Sequence, residues 1–283
     1  MKNFIVPMDF SMESYNGLDL AVLFSKMRQI NIQMVYVLTT STDYKPSTVK
    51  EEHEFAEEQF EEIMKKYEPK LGNDSKIRYI IKKGKIYREI VNQVNSYKDA
   101  VVSASTHGAS GFEELFVGSN ALKIMSATDK PVFTVRSSPV PSTFNRIVLP
   151  IKMHVDTRQK VPVAAEIAEL FGAEVHVVSI STRNNKRDLS RLESYNQQVV
   201  AYLKKRKMRT ITKTLVGDSL PTLTSNYAEA VNADLVVMMS SSIDKWNVFL
   251  GSYAQQMLNR SRVPLLGITP REKHIPSGFS TLG

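Results

Sequence analysis

Two short segments of this 283-residue chain carry residue types that could hold a small charged ligand. Pro7-Met8-Asp9-Phe10-Ser11 follows a short apolar run, and its carboxylate could accept hydrogen bonds from a ligand amine or hydroxyl. Ser105-Thr106-His107-Gly108-Ala109-Ser110-Gly111 follows a second apolar run, where Gly108 and Gly111 permit close approach of a ligand to the backbone. Gly118-Ser119 then opens a helical stretch, whose free N–H groups and positive dipole end form a natural phosphate cradle. Each feature also has an ordinary explanation. Asp9 could cap the helix that follows it, His107 could bond only to backbone, and Gly118 could mark tight strand-to-helix packing. The five histidines include no pair at metal spacing such as HExxH. With no cysteine, disulfides, thiolate metal sites and cysteine nucleophiles are excluded, and no Ser-His-Asp arrangement is visible.

Those segments are positioned by alternating strand and helix patterns. In the first half, apolar strands are read at Phe4–Val6, Met34–Leu38, Ile77–Ile81, Ala100–Ala104 and Val132–Val135. Helical spacing covers Tyr15–Arg28, Val49–Tyr67, Ile86–Val94 and Gly118–Ala127. The second half repeats the pattern, with strands at Ile147–Pro150, Val175–Val178, Thr210–Leu215, Leu235–Met238 and Leu265–Ile268. Its helices are read at Val163–Phe171, Leu189–Arg206, Leu220–Val231 and Gly251–Leu258. Short strands that are apolar throughout and alternate with helices predict a parallel sheet covered on both faces. Each half is therefore an open five-stranded α/β domain, and its ligand crevice belongs beyond the strand ends where strand order reverses.

The two halves are also related in sequence. LFVGSNALKIMSATDKPVFTV from Leu115 parallels VFLGSYAQQMLNRSRVPLLGI from Val248, and FIVPMD from Phe4 parallels IVLPIK from Ile147, which sets Lys152 opposite Asp9. Ser137-Ser-Pro-Val-Pro-Ser142 has the composition of a linker. The expected division is residues 1–137, a linker over 138–144, a second domain over 145–270 and a flexible tail over 271–283. The net charge of +8 falls entirely on the second half, with a run of cations between Lys204 and Lys213. A solvated helix end explains that run better than a nucleic-acid surface, since no aromatics interleave with it. Ordinary globular composition, no signal-peptide pattern and no apolar stretch long enough to span a bilayer point to a cytoplasmic protein away from membranes.

The segments VPMDFS, STHGASGFEELFVGS and KPVFTV together resemble the universal stress protein family, and the duplication resembles its tandem two-domain members over nearly the whole chain to about Pro270. Nucleotide-binding members carry Gly-x-x-Gly, nine residues and Gly-Ser or Gly-Thr. Ser105-Thr-His-Gly108, nine residues from Ala109 to Val117, and Gly118-Ser119 fit that spacing, with serine in place of the first glycine. The resemblance implies two flavodoxin-like, Rossmann-like α/β domains, each with a parallel sheet of order 3-2-1-4-5. It further implies that Asp9 and the backbone of Val37 hold adenine, while Ser105, Gly108, Gly118, Ser119 and the backbone of Asn120 hold ribose and phosphates.

By that resemblance the first domain is a non-catalytic stress-response module that takes ATP or AMP, with magnesium, and any hydrolysis is slow. No catalytic and no metal-binding residue is expected. The second domain, with Lys152 for the aspartate and Trp246 in a shortened loop, is expected to be a degenerate structural partner in an intramolecular pseudo-dimer. Homodimerisation of the whole chain stays open. A ligand-free scaffold is the alternative function, since the β-carbon of Ser105 could crowd a ribose.

Overall fold

A computed structural model describes residues 1–38, 46–72, 74–106, 119–136, 140–240 and 253–270. The chain divides into two compact units, Met1–Val140 and Pro141–Gly283. In the first, strands β1 (Asn3–Pro7), β2 (Asn31–Leu38), β3 (Lys76–Lys83), β4 (Ala100–Ser105) and β5 (Val132–Val135) alternate with helices α1 (Ser14–Met27), α2 (Pro46–Tyr67), α3 (Ile86–Asn95) and α4 (Ser119–Ala127). In the second, β6 (Arg146–Ile151), β7 (Glu174–Ser181), β8 (Thr210–Val216), β9 (Leu235–Met239) and β10 (Leu265–Ile268) alternate with α5 (Val161–Phe171), α6 (Lys186–Lys205), α7 (Leu220–Ala230) and α8 (Tyr253–Arg260). A 3-10 turn over Val155–Arg158, which strand and helix patterning does not reveal, follows β6.

Within each unit all strand pairs are parallel, in the orders β3-β2-β1-β4-β5 and β8-β7-β6-β9-β10. Both match the expected 3-2-1-4-5, and both units have the expected α/β architecture. The central strands show why. Phe4, Ile5 and Val6 of β1, and Ile147, Val148 and Leu149 of β6, are fully buried although consecutive side chains point to opposite faces. Helices must therefore cover both sides of each sheet. The exception is β8, the outer strand of its unit, where Ile211 and Val216 are exposed on either side of the exposed Lys213.

Local chemistry sets the helix ends. Asn185 caps α6 by accepting a hydrogen bond from Asp188 N–H (2.9 Å), and Ser219 caps α7 by accepting from Thr222 N–H (3.4 Å). Helix α5 stops at Gly172, whose φ of 66° lies in the left-handed region that glycine reaches without strain. The basic run after Tyr202 closes α6: Lys204 and Lys205 form its last turn. Arg206 donates to both carboxylate oxygens of Glu169 (3.1 Å each), and Arg209 pairs with Glu174 (3.2 Å). These cations serve the helix end and its neighbours.

In the first unit, α1 packs closely on β4. Ser103 Oγ donates to the carbonyl of Gly17 (2.7 Å), and a β-carbon on Gly17 would stand 2.6 Å from the Ser103 carbonyl oxygen. In the second unit, Asp234 ties the start of β6 to the turn before β9, accepting from the N–H groups of Asn145 (2.7 Å) and Arg146 (2.9 Å). Helix propensity alone favours Gly17→Ala by about 1 kcal/mol. The backbone clash outweighs it, and urea denaturation of the full chain is expected to show a net loss of about 1–2 kcal/mol. Asp234→Ala, which strands two backbone donors, should cost about 1–3 kcal/mol in the same measurement.

Candidate functional site

Strand order reverses between β1 and β4, and in open α/β sheets the ligand crevice lies beyond the carboxyl ends at such a reversal. The register pairs Ile5 with Val102, so Asp9 stands four residues beyond the matched pair on one wall and Ser105 ends the strand on the other. The topology thus gathers Asp9 and Ser105 at one strand edge, and α4, which follows β4, starts with Ser119 and Asn120 on that side. Gly108, Gly111, His107 and Gly118 lie outside the described residues, as do Trp246, Gly251 and the tail over 271–283.

Asp9 does not cap α1. Its Oδ1 accepts from Ser11 N–H (3.1 Å) and Ser11 Oγ (2.5 Å), an Asx-type turn that holds the exposed carboxylate just ahead of the helix. Ser11 Oγ in turn accepts from Ser14 N–H (3.3 Å) and so takes the helix-start role itself. Between them Phe10 has a φ of 62°, a region that non-glycine residues seldom enter. Packing fixes it there: the Phe10 ring stacks on Tyr36 (4.8 Å between centroids) and meets the edges of Phe60 (5.1 Å) and Phe55 (5.9 Å). This aromatic cluster anchors the residue beside Asp9, and the sequence pattern alone did not single it out.

Val37 faces the same crevice through its backbone. The Val35 carbonyl accepts from Met8 N–H on the β1 side (2.9 Å), and the Leu38 carbonyl accepts from Gly84 N–H on the β3 side (3.0 Å). Alternation along the strand turns the Val37 N–H and C=O to the β1 side, where β1 has ended at Pro7. The Val37 side chain is buried, leaving its main chain as the polar feature. A cavity of about 160 Å³ lies at the opposite end of the sheet, among Asn3, Asn31, Gln33 and Tyr97. There Gln33 Oε1 already accepts from Gln93 Nε2 (2.6 Å) and Tyr97 OH (3.2 Å).

The second unit has the same geometry with inverted charge. Val148 pairs with Val236 as Ile5 pairs with Val102, so the residue four further on, in the place of Asp9, is Lys152. Lys152 is partly buried. Its Nζ sits 4.0 Å from the centre of the Tyr253 ring, and burial pushes its pKa down to about 8. Thr157 Oγ1 accepts from Lys152 N–H (3.1 Å) and from Nζ of Lys160 (3.2 Å), which also donates to the Thr157 carbonyl (2.5 Å). Lys160 is 1% exposed, and burial, with the neighbouring Lys152 charge, holds its pKa well below the usual lysine range. The sequence offered Lys152; Lys160, Thr157 and Tyr253 had no pattern to mark them. Among the described residues no group of three or more His, Cys, Asp and Glu side chains could hold a metal ion, and no helix is long and apolar enough to cross a membrane.

Solved structures share this fold. A universal stress protein from Archaeoglobus fulgidus is 20% identical and superposes with a TM-score of 0.78, over 96% of this chain and 97% of that one. A putative universal stress protein from Pseudomonas aeruginosa is 14% identical with a TM-score of 0.64, over 95% and 94% of the two chains. A functionally unknown protein from another strain of that species gives the same TM-score and identity, over 95% and 93%. No curated protein matches the chain. The model of the universal stress protein family matches twice, over residues 1–136 and 143–268, and the chain belongs to that family as a tandem of two such domains.

Proposed function

We propose that the first unit binds an adenine nucleotide, ATP or AMP, without catalysing fast chemistry on it, and that the protein acts in a stress response through that occupancy. The observation that carries this reading is the pairing of Asp9 with the main chain of Val37 across the end of β1. One supplies carboxylate acceptors, and the other supplies an N–H and a C=O turned into the same crevice. An adenine edge presents a donor amine beside ring-nitrogen acceptors, which is the complement of that set. The phosphates then fall toward the start of α4, at Ser119 and the Asn120 backbone, where a helix N-terminus favours anions. Ser105 stands where family members that bind nucleotide carry glycine, and in this reading its hydroxyl contacts the ribose. Gly108 and Gly118 complete the proposed set, and magnesium accompanies ATP as the counter-ion of the phosphates.

Nothing in the described crevice supplies a base aimed at an attacking water, so the bound nucleotide serves as a signal. Localisation in the cytoplasm, away from membranes and nucleic acid, belongs to the same proposal. A ligand-free scaffold is the outcome that would replace it.

Isothermal titration of ATP, ADP and AMP, each with magnesium, into the full chain should give saturable binding near one site per chain. Asp9→Ala removes a charged acceptor and should weaken binding by about tenfold or more. No heat at millimolar nucleotide, or equal affinity in the variant, would hand the function to the scaffold reading. In a separate assay of phosphate release, turnover is expected to stay far below about 1 s⁻¹, the low end of ordinary enzymes. Magnesium-dependent turnover within the ordinary range would make the protein an enzyme.

A further inference from the structure

The second unit is more than a structural copy of the first. At its strand-order reversal the aspartate position is occupied by Lys152, and a second lysine, Lys160, is buried behind it on the far side of the Thr157 hydroxyl. Thr157 bonds both residues, and Lys160 spends its donors on the Thr157 carbonyl and hydroxyl oxygens. The Lys152 amine has no hydrogen-bond acceptor and no carboxylate partner among the described residues. It stands over the face of Tyr253, the first residue of α8, whose hydroxyl is engaged with Thr224 Oγ1 (3.0 Å).

Two lysine amines, each with its pKa lowered by burial, and the N-terminal end of α8 therefore lie at this strand edge. Desolvation disfavours the protonated Lys152 amine, and a bound anion would offset that cost. Structural duty does not explain it, because the Lys152 backbone already makes the bond that shapes the turn, and the amine contributes nothing to that bond.

We propose that the crevice at the carboxyl ends of β6 and β9 is an anion site, in which the Lys152 amine binds a phosphate-type dianion beside the N-terminal end of α8. The ligand is inorganic phosphate or the phosphate of a small monoester; the shared chemistry is the dianionic PO₃ group. An acidic residue at the equivalent place of the first unit selects donors, whereas lysine selects acceptors, so the two units take ligands of opposite polarity at that position. This inference does not rest on nucleotide binding by the first unit.

The test is reductive methylation of the wild-type full chain with formaldehyde and cyanoborohydride at pH 8, read by mass spectrometry at Lys152 with exposed Lys213 as internal reference. A partly buried, unpaired amine whose pKa lies at about 8 is partly neutral at this pH and reacts; an amine paired with an anion stays protonated and shielded. Added inorganic phosphate, against chloride of equal ionic strength, is expected to slow labelling of Lys152 by about tenfold while Lys213 is unchanged. Slowing by AMP but not by inorganic phosphate identifies a monoester as the ligand. In Asp9→Ala the protection must persist, which separates this site from the first unit. Melting temperature gives an independent readout: phosphate should raise it in wild type and not in Lys152→Met. The proposal is overturned if neither phosphate nor AMP changes Lys152 labelling, if protection disappears in Asp9→Ala, or if Lys152→Met retains the full thermal response to phosphate.

Discussion

Both units depend on a single constraint: the central strand is apolar on both faces and has no route to water along its length. β1 and β6 lie between two neighbours each, with three consecutive side chains fully buried. Polar groups can therefore appear only where these strands stop. The parallel arrangement sends all the stops to one edge, and the reversal of strand order parts the connections there. Ligand chemistry in this fold is displaced to the strand ends because the middle of the sheet excludes it.

What positions those ends is packing at some distance from them. The turn carrying Asp9 is braced by Phe10 against Tyr36, Phe55 and Phe60, so a residue in a left-handed conformation is held by rings from β2 and α2. Helix α1 descends onto β4 closely enough that Gly17 cannot carry a side chain. The carboxylate and the neighbouring strand end are thus referenced to one another through α1 and the aromatic cluster. A glycine within a helix is usually a weakness in isolation; here it allows the contact that sets the geometry.

Much of this was legible in the residues. Continuous apolar runs alternating with helical spacing specified parallel strands, and the structure extends most of those elements by one to three residues without adding or removing a strand. The duplicated Gly-Ser and IVxP segments gave the tandem organisation. Asp9 and Lys152 could be aligned by counting, and their register positions coincide. Other features depended on contacts distant in sequence, which leave no periodic trace. Gly17 meets Ser103 across most of the first unit, and Lys160 folds back on Thr157. The state of Lys152 was illegible for the same reason: its contact with the Tyr253 ring comes from a helix about a hundred residues away.

One feature of the second unit bears on how the chain survives in a crowded solution. β8 ends its row of strands with apolar side chains showing on an outer edge, a template on which another extended chain could grow. Lys213 stands in the middle of that strand, exposed between Ile211 and Val216. Any incoming strand would have to desolvate its ammonium, and two copies meeting edge to edge would bring like charges together. A side chain with no evident role in ligand chemistry thereby acts as a gatekeeper against misassembly.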